Sequence, residues 1–443
     1  MKIQLSDSFT YKKIIKFTIP SIIMMIFTSI YGVVDGLFIS NFIGQTEFTS
    51  VNFIMPFLMI FSAVGFMAGT GGSALVAKTL GEGKDEKARN IFSLIIYVMI
   101  GIGLLFTVLG IIFLKDAALA LGADSEMLPL CVEYGRIIMI ALIPFMLQSV
   151  FQSFLVTAER PTLGLVITVA AGVTNIVLDA LFVAVLEWGV SGAALATGIS
   201  QFVGGITPLI FFILPNKTKL RLGKASFDIR AIIKTFTNGS SEFMTNVSLS
   251  VVNMLYNNRL METAGQNGVA AYGVIMYTAF VFISVFLGFA VGSAPITGYH
   301  YGAGNRLELK NVYGKSLRLI GITSIILTIS AELLSYPLSA IFVGYDAELF
   351  ALTQRGFMIY SVSYLLAGFN IFASAFFTAL NNGLISALIS FARTLVLQVI
   401  CVLCLPVLLG IDGIWLSIVF AEGLSLVLTI FCFSANGKKY GYA

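Results

Sequence analysis

Asp35 and Asp179 are carboxylates set inside long apolar runs, at 17–39 and 162–186. Ionising an acid in such surroundings is costly unless the charge is paired or used. Asn175 stands four residues before Asp179, so on a helix the two share one face. Two carboxylates and an amide offer hard oxygen ligands to a small cation. The same two carboxylates can instead share protons. Structural hydrogen bonding between helices is the plainer alternative.

Other polar residues interrupt the apolar sequence at helical spacing. Glu242, Asn246, Asn253 and Asn257 recur at intervals of four and seven, a polar stripe on one helix face. Glu242 fits either a functional or a structural role. Gln148 and Gln152 share a face with Ser149 and Ser153 and suit the lining of a cavity. Glu332 and Glu422 are mid-run acids, and Arg393 could neutralise either. His300, the single histidine, falls where an apolar run meets a basic segment, too shallow for a proton relay. Cys401 and Cys404 have metal-ligand spacing, but no second pair or histidine accompanies them, and Cys131 and Cys432 are isolated. No metal and no cofactor are expected.

The elements that must position these groups follow from composition. Of 443 residues 58% are hydrophobic and only 11% charged, with a mean hydropathy of +0.96. A soluble domain carries roughly 25% charged residues. Runs of about 20 residues match a bilayer core of about 30 Å at 1.5 Å per residue. The sequence therefore reads as an all-α polytopic membrane protein with spans at 17–39, 51–77, 91–114, 130–156, 162–186, 189–214, 236–258, 269–297, 317–343, 353–379, 384–409 and 412–434. Twenty-one of the 26 Lys and Arg residues then fall on one side, which predicts that both termini are cytoplasmic. The net charge of +4 is this loop bias and points to no nucleic acid. The bilayer is the expected partner.

The chain also repeats itself. Shifted by 221 residues, Gly81 meets Gly302, Gly83 meets Gly304, Asn90 meets Asn311, Gly135 meets Gly356, Thr157 meets Thr378 and Gly189 meets Gly410. This gives two six-span halves, 1–214 and 236–443, joined by a basic linker at 215–235. An even span count makes the halves parallel, related by a pseudo-two-fold axis along the membrane normal. Such lobes can rock around a site between them. The same shift places Tyr256 at Asp35, Val396 at Asn175 and Ile400 at Asp179, so the acids are not needed to build the scaffold. The first lobe is the expected seat of ion chemistry.

Two basic stretches, Gly69-Thr-Gly-Gly-Ser-Ala-Leu-Val-Ala-Lys-Thr-Leu-Gly-Glu-Gly83 and Gly292-Ser-Ala-Pro-Ile-Thr-Gly-Tyr-His-Tyr-Gly-Ala-Gly-Asn305, resemble the paired loops of multidrug and toxin extrusion (MATE) transporters. The first span with Pro20 and Asp35, and Asn175-Ile-Val-Leu-Asp179 in the fifth, are similar to the same family. The resemblance covers all twelve spans. It implies efflux of amphiphilic or cationic small molecules in antiport with protons or sodium, from a monomer in the plasma membrane. It also implies that Asp35, Asn175, Asp179 and Thr197 form the cation or proton site, and that span 1 bends at Pro20. Two other readings stay open. A lipid-linked oligosaccharide flippase would need a cationic cavity, whereas Arg393 is the only basic residue deep in a span. A membrane-embedded enzyme would need a catalytic constellation that no loop supplies.

Overall fold

The computed structural model describes residues 3–442, apart from the side chains of Leu37, Ser40, Asn41 and Gln45; Lys2, counted above with the basic side, lies outside them. The described residues form helices α1 (Tyr11–Phe42), α2 (Gln45–Gly81), α3 (Asp85–Leu121), α4 (Met127–Ile140), α5 (Leu142–Thr157), α6 (Pro161–Asp179) and α7 (Gly189–Ile213) in the first half. The second half holds α8 (Ile229–Gly302), α9 (Arg306–Val343), α10 (Ala347–Ser361), α11 (Tyr364–Ala379), α12 (Gly383–Phe391), α13 (Leu397–Leu409) and α14 (Ile411–Tyr440). Helices are what a chain this apolar must form, because lipid offers no partner to a free backbone N–H or C=O. Nine helical stretches are long and apolar enough to cross a bilayer. One of them, α8, is two spans joined at Gly265, whose φ of 61° breaks the helix. The pairs α4/α5 and α10/α11, bent by 54° and 50°, each make one more. Twelve spans result, as the apolar runs required.

The repeat is visible in the backbone itself. Left-handed glycines Gly44, Gly83 and Gly189 recur 221 residues later as Gly265, Gly304 and Gly410. Each stands at a helix boundary or break where a Cβ would be strained. Span 5 and span 11 both contain a π-helical turn, Ala180–Val185 after α6 and Ala392–Val396 between α12 and α13. Helix starts carry side-chain caps: Thr10, Asp228, Asn305, Asp346 and Asn382 each accept a hydrogen bond from an N–H in the first turn.

Two sequence expectations need correction. The stretches Gly69–Gly83 and Gly292–Asn305 are not loops over most of their length. They continue α2 to Gly81 and α8 to Gly302, since nothing in them leaves helical geometry before Gly83 and Gly304. The connection between halves is also shorter than 215–235, because Asp228 caps α8 and the helix begins at Ile229.

The lobes meet closely at the basic end. A Cβ on Gly81 would lie 2.0 Å from the Tyr299 carbonyl oxygen, and one on Gly302 would lie 2.0 Å from that of Lys78. The two contacts are the same contact seen from either lobe. Beneath them, Gly71 and Gly239 bring α2 against the start of α8 backbone to backbone. The N-terminal segment ties both halves together there. Leu5 N–H donates to Glu159 of the first lobe (2.8 Å), and Phe9 N–H donates to Glu308 of the second (2.7 Å).

Candidate functional site

Asp179 is the last residue of α6, at the point where the π-turn begins, and it is fully buried. π-turns displace one residue outward and are frequent at functional sites. Neither Asp179 oxygen has an N–H or O–H donor among the described residues. It interacts with another acid, Asp35 of α1, whose negative charge opposes its own. Asp35 is only half-buried, so the pair has an open member and a sealed one. Asn175, one turn before Asp179, points its amide N–H at Asp35 Oδ1 over 3.5 Å and at Thr197 Oγ1 over the same distance. The Thr197 hydroxyl in turn points at Asp35 Oδ1 over 3.4 Å. Four residues from three helices thus converge, the same four that the family resemblance groups together. All three contacts are at the long limit for hydrogen bonds. The cluster is collected without being clamped, and it can tighten on a cation.

Charge decides what the cluster can do. An ionised carboxylate without donors is costly in a low-dielectric interior. With no Lys or Arg among the described residues paired to either acid, the stable states are a shared proton, two protons, or a bound cation. No group of three His, Cys, Asp or Glu side chains suited to a metal ion occurs among the described residues. Any cation would therefore rely on the amide and hydroxyl oxygens as well. Tyr134 is a neighbour that the spacing argument missed. It is wholly buried, its hydroxyl has no partner among the described residues, and it lies within electrostatic reach of both acids. A tyrosine inside a span, whose hydroxyl must find a partner, is the signal that could have found it.

The weaker candidates separate. Gln148 is 6% exposed and lies over Gly204, where a Cβ would come within 2.4 Å of its Cδ. It packs against Gly204 inside the lobe; Gln152 is half-buried. Along α8, Glu242 and Asn246 are half-buried, with the Asn246 amide donating to the Glu242 carbonyl (2.8 Å). Asn253 accepts from the Tyr272 hydroxyl (2.8 Å), whereas Asn257 is exposed. Pro20 leaves α1 unbroken from Tyr11 to Phe42. His300 is buried edge-on against Phe9, away from the acids. Glu332 accepts from Ser361 (2.6 Å). Arg393 chooses Glu422, with Nε 2.8 and 3.0 Å from its two oxygens. Asn370, which the sequence did not single out, donates to the same carboxylate at 2.7 Å and is held by Thr429 at 2.8 Å.

The fold and site define a two-lobed helical membrane protein with an acid pair, uncompensated by any base among the described residues, inside one lobe. The chain belongs to the MatE family: the family's sequence model matches residues 20–181 and 242–403, once in each half. It is similar to the multidrug export protein MepA of Staphylococcus haemolyticus, 23% identical over 427 residues that cover 96% of this chain and 93% of that protein. MepA of Staphylococcus aureus is 21% identical over 418 residues, covering 94% and 91%. A solved structure described as the outward-facing conformation of a multidrug resistance MATE family transporter shares the fold, with a TM-score of 0.93, 23% identity and 98% of each chain covered.

Proposed function

We propose that this protein exports amphiphilic, often cationic, small molecules by alternating access, in antiport with protons or sodium. The family and the name carried by the MepA relatives support export. The observation that carries ion coupling is Asp179, buried without a donor and facing Asp35. In this reading a proton or sodium ion neutralises the pair, which makes burial of both acids tolerable and favours one arrangement of the lobes. Asn175 and Thr197 lend oxygens to the ion, and Tyr134 donates to whichever carboxylate ionises. On the face opposite the basic loops, a recess of about 480 Å³ includes Glu47, Glu133 and Glu187 and borders the π-turn that follows Asp179. Its acidic lining suits the approach of a cation. Each inward elementary charge releases about 2.3 kcal/mol per 100 mV, enough for more than tenfold accumulation.

The substrate site lies between residues 1–214 and 236–443, which rock as two bodies. In this reading the membrane is the plasma membrane and both termini are cytoplasmic, an orientation that the lysine and arginine bias supports. It acts as a monomer and needs no cofactor besides the coupling ion. The test is export of an organic cation from proteoliposomes under separately imposed proton and sodium gradients. Export driven by one of them and lost in Asp35→Asn is the expected result. Gradient-independent movement of lipid-linked sugar with no export of the cation would replace this reading by a flippase.

A further inference from the structure

The face opposite the basic loops carries only four basic residues, Lys115, Arg136, Arg259 and Arg355. Two of them are taken up by ion pairs: Arg259 bonds Glu262 (2.8 Å), and Arg355 bonds Asp412. Lys115 and Arg136 are different. Both are exposed, and neither makes an ion pair or hydrogen bond with a described residue. The packing of α3 on α4 nonetheless brings them together. A Cβ on Gly135 would lie 2.7 Å from Leu114 Cδ1, so the residue after each flanks one helix crossing. The Thr107 hydroxyl, donating to the Met139 carbonyl (3.0 Å), fixes the antiparallel register of the two helices.

Lys115 and Arg136 line one recess of about 530 Å³, with an apolar floor of Leu128, Val132 and Ile137. Around it Ile112, Phe113 and Ile140 are exposed, the kind of surface that a bilayer covers. Lys115 stands six residues before the end of α3, about 9 Å inside it at 1.5 Å per residue. That is the depth at which acyl chains meet headgroups. A single cation there extends its head to water. Two cations on one apolar recess repel each other unless an anion joins them. The nearby acids do not fill that role. Glu133, which also lines the recess, accepts from the Ser191 hydroxyl, and Asp116 makes no ion pair with a described residue. Nor does the scaffold require the charges, since the 221-residue shift places Tyr336 and Phe357 at these two positions.

We infer that this recess binds an anionic phospholipid of the leaflet on that face, with its phosphate between Lys115 and Arg136 and the start of an acyl chain on Leu128, Val132 and Ile137. The occupant is a lipid because the cationic rim and the apolar floor are continuous with surface that lipid covers, whereas a free phosphate would use the rim alone. Gly135 is a positioning residue: it lets α3 and α4 close until the two cations can share one anion. The site stands apart from the acid pair and does not depend on the export reading.

The probes are phosphatidylglycerol and phosphatidylcholine carrying the same photoactivatable acyl chain, so that they differ in headgroup charge. Each is added sparingly to proteoliposomes of the full chain in zwitterionic lipid, and cross-links are mapped to residues 111–140 and to their second-lobe equivalents, 332–361. In wild type the ratio of phosphatidylglycerol to phosphatidylcholine labelling on 111–140 should exceed that on 332–361 by roughly tenfold, each cation contributing several-fold. Lys115→Gln/Arg136→Gln should bring the two ratios level, and Arg259→Gln/Arg355→Gln should leave them apart. Lys115→Arg/Arg136→Lys, which exchanges the cations, should also leave them apart. Level ratios in wild type, or a difference that survives Lys115→Gln/Arg136→Gln, overturns the site. Loss of the wild-type difference on adding millimolar inorganic phosphate at constant ionic strength makes it a bare phosphate site and overturns the lipid. The wild-type comparison decides even where a variant fails to insert.

Discussion

In the first lobe Asp179 is fully buried beside Asp35, with no donor and no ion-pair partner among the described residues. In the second lobe Glu422 is buried to the same degree, but Arg393 stands 2.8 Å from one oxygen and Asn370 2.7 Å from the other. The scaffolds around them are equivalent, down to the left-handed glycines and the π-turn in span 5 and span 11. The π-turns are not in the same register. Ala392–Val396 corresponds, at the 221-residue shift, to 171–175, just upstream of Ala180. Each lobe places its distortion beside its own charged residue. The comparison teaches that one helical frame holds either a carboxylate closed by a base and an amide or one left without a donor among the described residues; under the proposed function the second is the one that changes its charge state.

The largest test of that difference removes an acid from each lobe. Glu422→Ala leaves a half-buried guanidinium without its partner and should cost about 3 kcal/mol. Thermal unfolding in detergent should show it as a large fall, mostly restored in Arg393→Met/Glu422→Leu. Asp179→Asn removes a strained acid and should leave the midpoint unchanged or raised. Equal destabilisation by the two single variants would break the comparison.

Where the lobes agree, their variants should agree. Gly81→Ala and Gly302→Ala each drive a Cβ to 2.0 Å from a carbonyl oxygen of the other lobe. Each should cost about 1–3 kcal/mol of packing at the basic end. The readout is faster labelling of a cysteine placed at Ala74, behind that contact. If only one of the two variants opens the seam, the pseudo-symmetry does not extend to it.

Smaller effects sharpen the picture further. Thr429→Val removes the hydroxyl that orients Asn370 and should cost about 1 kcal/mol. At the end of α2, Glu82 is held below the usual glutamate range, chiefly by the hydrogen bond from Lys84 Nζ (2.8 Å), with Lys78 adding attraction. Its counterpart in the second lobe is Ala303, which shows that the helix end does not depend on it. Glu82→Ala should therefore cost under about 1 kcal/mol. Because the folded-state value is lowered, that difference is present at neutral pH and is lost as pH falls through it. A deficit that grows on acidification would contradict the assignment.

Much of this architecture could be read in the sequence because lipid imposes it. Apolar runs long enough to span gave the helices, and the constant 221-residue shift gave two parallel halves. The acids stood out because nothing polar surrounds them in the chain. Helix rotation and distortion were hidden. The bend between α4 and α5 has a cause in Pro144, which leaves the Ile140 carbonyl without a helical partner, but the bend between α10 and α11 falls at no proline or glycine. The π-turns likewise have no residue signature. Whether Arg393 faces Glu332 or Glu422 depends on how three helices turn about their axes. Spacing put Gln148 on a polar face, but its packing on Gly204 appears only in the structure. Tyr134 was missed for the same reason.

The most direct test of the account is gradient-driven export by Asp179→Asn in proteoliposomes, measured beside substrate exchange in the same vesicles without a gradient. Asparagine keeps the shape and some hydrogen bonds of aspartate but cannot titrate, and it binds cations more weakly. The account predicts that gradient-driven export falls to background while exchange changes far less and the protein melts no lower than wild type. Export at the wild-type rate would contradict it, making the first-lobe acids structural and moving the search for coupling to Glu242.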